Sequence, residues 1–258
     1  MSLPNKNNLL FALKVFGMHS GISFLVAGGV AFLVLGYWFV YPFYELLGGL
    51  HLFWLMMAVD VTCGPLLTAI VWRPGKRKKL ILLDVCMIGM LQCAALAYGV
   101  YALSLARPLA LVFEADRFVA VTMADVEEVG LVEADPAYRN VGFAHKPWLL
   151  GTRQPRSGEE ALQSVELSMN GSEPSVRPNW WQPYDLNRAE VRARMKPLSD
   201  LRMSETQRRN LLDASFMQGR DMVALSFLPL VAHGNLDDWI VVLNADADVI
   251  GYAAIGGF

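Results

Sequence analysis

The stretch Val59 to Thr68, V-D-V-T-C-G-P-L-L-T, sets an acid, a glycine and a proline inside a segment that is otherwise almost wholly apolar from Leu46 to Trp72. A few residues later comes the basic run R-P-G-K-R-K-K, Arg73 to Lys79. A segment this long and apolar spans a bilayer, and a short loop rich in Lys and Arg stays on the cytoplasmic side. The pair therefore predicts a membrane region and its orientation.

Working outward, Val15 to Tyr44 carries no formal charge beyond a protonated form of His19, and it far exceeds the apolar core of a signal peptide. It reads as a retained transmembrane helix from about Ser20 to Val40, with Tyr37, Trp38, Tyr41 and Tyr44 at its outer interface and Pro42 as its stop. A short amphipathic lead-in with Lys6 and Lys14 precedes it. The second span runs from about Leu50 to Val71, and the third from about Leu80 to Leu105, closed by Arg107-Pro108. Lys6, Lys14 and the basic loop all mark the cytoplasmic side, so three spans leave the C-terminal half outside, in the periplasm of a Gram-negative bacterium. Small residues four apart, Ser23, Ala27 and Ala31 on the first helix and Gly89, Cys93 and Ala97 on the third, suit close helix packing.

Charge divides the 258 residues in the same place. Before Pro108 there are eight Lys and Arg against three acids, and from Pro108 onward fourteen against twenty-one. The expected organisation is a three-helix transmembrane domain over residues 1–107 and a periplasmic α+β domain over residues 108–258 with a mainly antiparallel sheet. Cys63, Cys86 and Cys93 all fall in the apolar half, so the outer domain is expected to stand without disulfides. No metal-ligand spacing such as C-x-x-C is present, and neither a metal nor a cofactor is expected.

Asp60 and Asp84 are ionisable groups at membrane depth, where such groups face a partner or a cavity. A rise of about 1.5 Å per residue sets Asp60 about 18 Å and Asp84 about 6 Å from the cytoplasmic ends of their helices, which argues against a proton-sharing acid dyad. Gln92 falls at nearly the depth of Asp60, so an Asp60–Gln92 hydrogen bond would tie the second and third helices. Gly64-Pro65 is expected to kink the second helix, with Thr62 and Thr68 satisfying backbone groups freed by Pro65.

Beyond Pro108, Leu109 to Phe113 and Phe118 to Thr122 read as a hairpin whose turn holds Glu114, Asp116 and Arg117, either a solvated turn with a local ion pair or a binding site. Glu127 to Pro183 is rich in Pro, Gly and Ser, and carries H-K-P-W at His145 to Trp148 and N-W-W-Q-P-Y at Asn179 to Tyr184. Those aromatics suit a contact surface or a core equally. Leu186 to Met195 and Ser204 to Phe216 look helical, Ser204 and Gln207 resembling a capping box. Arg188, Arg192, Arg194, Arg208 and Arg209 read as solvated helix faces. Met222 to Leu230, Trp239 to Asn244 and Val249 to Ile255 read as an antiparallel meander that joins the first hairpin in one sheet.

No catalytic constellation emerges. There is no G-x-S-x-G, no phosphate loop and no cysteine nucleophile beyond the spans, and a triad of Ser226, His233 and Asp237 is only a loop-level coincidence. The acidic balance argues against nucleic acid.

The motifs K-V-F-G-M-H before the first span, A-V-D-V-T-C-G-P-L-L-T in the second, L-L-D-V in the third and R-P-L-A-L-V-F-E-A-D-R-F beyond it resemble the TfpX/TfpZ family of type IV pilin accessory proteins. The match covers roughly the first 120 residues. It implies a non-enzymatic inner-membrane protein whose partners are the lipid bilayer and a cognate type IV pilin, which it helps to accumulate or assemble. Asp60, Gly64, Pro65 and Asp84 are the candidate membrane contacts for that pilin, and Asp116, Arg117 and Phe118 the outer ones. The competing classes are a pilin-modifying enzyme and a membrane-anchored periplasmic sensor.

Overall fold

The structure, a computed structural model, describes residues 6–71, 77–139, 146–232 and 235–258. Four helices come first: α1 (Lys6–Leu33), continued by a π-helical turn at Val34–Trp38, the short α2 (Phe43–Leu46), α3 (Gly49–Val71) and α4 (Lys78–Ala106). Three of them carry stretches long and apolar enough to cross a membrane, at Phe16–Trp38, Gly49–Thr68 and Lys79–Ala106. These lie within a few residues of the spans read from the sequence. Large apolar side chains cover their outer faces, Leu25 being 79% exposed and Met90 72% exposed. Exposed apolar surface of this extent suits association with a membrane. Most of the basic loop, residues 73–76, lies outside the described residues, as do residues 1–5.

The chain divides into two compact units. One holds α1, α3 and α4; the other holds residues 106–258 together with Tyr41–Leu47, the connection that contains α2. In the helical unit, α1 packs along α3. Gly49 begins α3 where a Cβ would meet the ring of Phe39 at 2.3 Å, so the chain can turn tightly there only without a side chain. Pro65 lies inside α3, which continues unbroken to Val71. Its missing N–H leaves the carbonyl of Val61 without its helical donor. The hydroxyls of Thr62 and Thr68 turn instead to the carbonyls of Ala58 and Gly64, so they do not serve the group that Pro65 frees.

The second unit continues with β1 (Pro108–Glu114), β2 (Arg117–Thr122), α5 (Glu128–Glu133), α6 (Pro136–Arg139), β3 (Trp148–Thr152), α7 (Gly158–Met169), β4 (Trp181–Pro183), α8 (Arg188–Arg194) and β5 (Lys196–Pro197). It closes with α9 (Glu205–Asp213), β6 (Ser226–Ala232), β7 (Asn235–Leu243) and β8 (Val249–Ala253). The strands form one sheet in the order β4-β3-β1-β2-β6-β7-β8, with β5 added on β6. The predicted hairpin and meander are both present, and they join through β2 and β6. The sheet is mixed, not mainly antiparallel: β1 runs parallel to β3, and β2 parallel to β6. The reason is connectivity. The chain leaves β2, crosses through α5 and α6, and returns as β3 beside β1, and a long helical crossover of this kind permits parallel pairing.

Strand β1 is central, and its burial explains the unbroken apolar run L-A-L-V-F, since a strand covered on both faces needs no alternation. Among the described residues, two clusters stand out in the core. Leu198, Leu211, Phe227, Ile240 and Val242 build one, with Leu109, Val112, Val121, Leu150 and Trp181 in the other. Trp148, Trp181 and Tyr138 pack edge to face at 5.7–6.2 Å, and the guanidinium groups of Arg153 and Arg177 lie over the Trp180 ring at 4.3 and 4.7 Å. The tryptophans of the irregular segment are thus core residues. The capping box of α9 is formed as read, Ser204 Oγ accepting from the Gln207 N–H and Gln207 Oε1 from the Ser204 N–H.

Candidate functional site

The helical unit contains a polar node where α1, α3 and α4 meet. Gln92 on α4 donates from Nε2 to the backbone carbonyl of Asp60 at 3.2 Å, and its Oε1 lies 2.8 Å from His19 Nε2 on α1. His19 Nδ1 lies 2.8 Å from Thr68 Oγ1, which is 2.9 Å from the Gly64 carbonyl. Residues of all three helices are thereby joined, one each from α1 and α4 and three from α3, and such links matter where the surroundings offer no water to replace them.

The proton count of this node is informative. With a neutral imidazole carrying its proton on Nε2, the ring donates to Gln92 and accepts the Thr68 hydroxyl proton at Nδ1. With an imidazolium, Nδ1 donates to Thr68, whose own proton then turns to the Gly64 carbonyl. Rotation of one hydroxyl satisfies both charge states.

Gly64 belongs to the node by having no side chain. A Cβ there would lie 1.8 Å from Gln92 Nε2. The expected tie between Asp60 and Gln92 therefore joins the helices anticipated, but through the Asp60 backbone carbonyl instead of its carboxylate. His19 was missed as a member because the sequence reading begins the first span at Ser20. Helix α1 starts at least as early as Lys6, which sets His19 about 20 Å along it, close to the height of Gln92 along α4. Of the other predicted residues, Pro65 follows Gly64 within α3 and Asp84 lies two turns before Gln92 on α4. Asp84 takes no part in the bonds of the node.

A second feature of the helical unit is an apolar groove between α1 and α3 of about 410 Å³. Phe24, Ala27, Gly28 and Ala31 form one wall, with Trp54, Met57, Ala58 and Thr62 opposite. Ala27 and Ala31, read from the sequence as packing positions, thus line an open groove. Gly28 also faces space, no described atom beyond its chain neighbours and the local backbone of its own helix lying within 4 Å of where its Cβ would be, and the same holds for Gly89 on α4.

In the sheet unit, the β1–β2 turn places Asp116 and Arg117 at the surface as an ion pair of 3.3 Å, with side chains 58% and 39% exposed. Phe118 is fully buried between Phe113 and Tyr184, at ring separations of 5.6 and 6.0 Å, which leaves its ring no surface to offer a partner. Glu114 turns inward and accepts the Ser175 N–H at 2.9 Å, and burial holds its carboxyl above the usual carboxylate range. The connection at residues 41–47 is docked on β7 and β8. Tyr41 donates to the carbonyl of Tyr252 at 3.1 Å and packs on the rings of Tyr252 and Trp239, each at 6.4 Å. Burial pushes the Tyr252 phenol up to about 12.

Among the described residues no group of three or more His, Cys, Asp or Glu is placed to hold a metal ion. His145 and His233, including the triad drawn from His233, lie outside the described residues.

Over residues 7–48 the chain matches the family described as Fimbrial assembly protein FimB. It is similar along nearly its whole length to two proteins of Dichelobacter nodosus. The fimbrial assembly protein of serogroup I and that of serogroup E1 are each 33% identical to it over 257 residues, covering 98% of this chain and 99% of the relative. The fimbrial assembly protein of serogroups C1 and C2 from the same organism is 40% identical over 122 residues, which is 47% of this chain and 93% of that relative. No solved structure matches.

Proposed function

The chain belongs to the fimbrial assembly protein family, with a role in pilus assembly, and on that premise we propose that it is a non-enzymatic inner-membrane protein that holds a cognate type IV pilin before polymerisation. The N-terminus lies in the cytoplasm and the sheet unit in the periplasm, following the positive charge at Lys6, Lys14 and Arg73 to Lys79. The narrower assignment, an accessory protein of the TfpX/TfpZ type, is supported by the motifs around Asp60, Gly64, Pro65 and Asp84. The polar node builds the helical unit, and the groove beside it meets the apolar stem of the pilin.

The observation that carries this reading is the groove between α1 and α3. Its small residues let a third helix approach closely, and van der Waals packing drives association in hydrocarbon, where burial alone does not. Asp116 and Arg117 form the outer contact with the head of the pilin, and their exposed ion pair is free to exchange partners.

Co-purification from membranes in mild detergent tests the reading. Pilin is recovered with the wild type and lost with Gly28→Leu, whose side chain extends into the groove from a position where a Cβ meets open space. Equal recovery with both, or none with either, removes the groove as the pilin site.

A further inference from the structure

The turn Leu198–Asp200, the residues leading into α9, α9 itself and the loop Gly219–Val223 enclose a cleft of about 880 Å³ in the sheet unit. Leu201, Leu212 and Val223 contribute apolar side chains to its lining, Leu212 and Val223 being 49% and 76% exposed. Its rim carries Arg202, Arg208 and Arg220. The guanidinium groups of Arg202 and Arg208 make no hydrogen bond or ion pair with any described residue, whereas that of Arg220 gives one N–H to the Phe216 carbonyl. Asp221, the one acid of the rim, is engaged locally by accepting the Val223 N–H at 3.1 Å.

Charge is concentrated here against the trend of the domain. Residues 188–220 hold eight Lys and Arg against four acids, in a half that otherwise has six against seventeen. Arg188, first in that run, is committed to Asp185 and Asp248 at 2.6 and 2.5 Å, which separates it from the arginines of the cleft.

We propose that this cleft docks an acidic polypeptide segment that carries apolar side chains between its carboxylates. The guanidinium fork takes a carboxylate through two parallel N–H donors, so the two free forks of Arg202 and Arg208, with Arg220 beside them on the rim, select acidic groups by geometry as well as by charge. The apolar side chains of Leu201, Leu212 and Val223 beside them are covered only if the occupant brings hydrocarbon alongside its acids. A polypeptide segment enters a concavity of this size, whereas anionic headgroups on a flat bilayer meet the arginines and leave those side chains uncovered. The site shares no residue with the groove and does not depend on pilin being its occupant.

The test uses the full chain in phosphatidylcholine nanodiscs and a fluorescent octapeptide of alternating glutamate and leucine, followed by anisotropy. Saturable binding is expected, weakened roughly tenfold by Arg202→Gln combined with Arg208→Gln and weakened further by added salt. Leu212→Ser weakens it separately. Arg192→Gln with Arg194→Gln removes the same charge from α8 and leaves binding unchanged. The proposal fails if the peptide does not bind, if the α8 pair costs as much as the cleft pair, or if the cleft pair costs nothing. It also fails if phosphatidylglycerol vesicles displace the peptide, which would assign the site to lipid headgroups. Unchanged thermal midpoints in all variants exclude misfolding as the cause of any loss.

Discussion

Gln92 occupies the space where any other residue at position 64 would place its Cβ. Gly64→Ala therefore displaces the Gln92 amide and breaks its bonds to Asp60 and His19, each worth roughly 0.6 to 2 kcal/mol between helices in a membrane. The expected result is a lower unfolding midpoint of the helical unit in detergent, and a much smaller effect of Gly64→Ala when Gln92 is already Ala. His19→Phe removes both ring hydrogen bonds at similar volume and costs about 1 to 2 kcal/mol in the same measurement. Part of this node was legible in the sequence. An acid and an amide at equal depth on neighbouring apolar helices predict a tie, because unpaired polar groups are costly there. Which atoms make it was not legible. Counting residues gives height but not azimuth, so nothing distinguished the Asp60 carboxylate from its backbone carbonyl, and nothing announced that Gly64 was the clearance for Gln92.

Arg153 and Glu160 illustrate the scale of the element. The S-G-E-E start of α7 is capped by Ser157, whose Oγ accepts the Glu160 N–H at 3.1 Å. Arg153 donates to both Glu160 oxygens at 3.1 and 2.6 Å, and it holds that carboxyl at about 2, well below its usual 4.5. The stabilisation is fully present above pH 4.5 and is lost as pH falls toward about 2. Acid unfolding followed by tryptophan fluorescence should show that slope, and Glu160→Gln should flatten it. Tyr184→Phe in the core leaves the buried Ala247 carbonyl without the hydroxyl donor it has at 2.6 Å, and a loss of about 1 to 2 kcal/mol in urea unfolding is expected. At this scale the strands with strong patterns were readable: the hairpin β1–β2 and the meander β6–β8 carry long apolar runs between turn residues. Strands β3 and β4 were not, because Trp148–Thr152 and Trp181–Pro183 are short and embedded among Pro and Gly. Their pairing is set by a crossover and by aromatic packing, and neither leaves a local periodicity. Missing β3 is also why the sheet was expected to be mainly antiparallel. Arg188 was read as a solvated helix face for a similar reason, since its partner Asp248 lies 60 residues away.

At the scale of the whole molecule the account rests on a division of labour. The node among His19, Gln92, Thr68 and Gly64 ties the helices of the helical unit together, and the open groove between α1 and α3 is the pilin site in the function proposed. Gly28→Leu and Gly64→Ala separate these roles. The first should leave the unfolding midpoint unchanged or slightly raised, as a glycine is replaced inside a helix, and should abolish pilin recovery. The second should lower the midpoint. The most direct measurement is photo-crosslinking in cells that make the cognate pilin, with the reactive side chain placed at Ala58 in the groove or at Leu91 on the exposed face of α4. The account predicts a pilin adduct from position 58 and none from position 91. Adducts of equal yield from both positions, or none from position 58 while pilin is present, would contradict it.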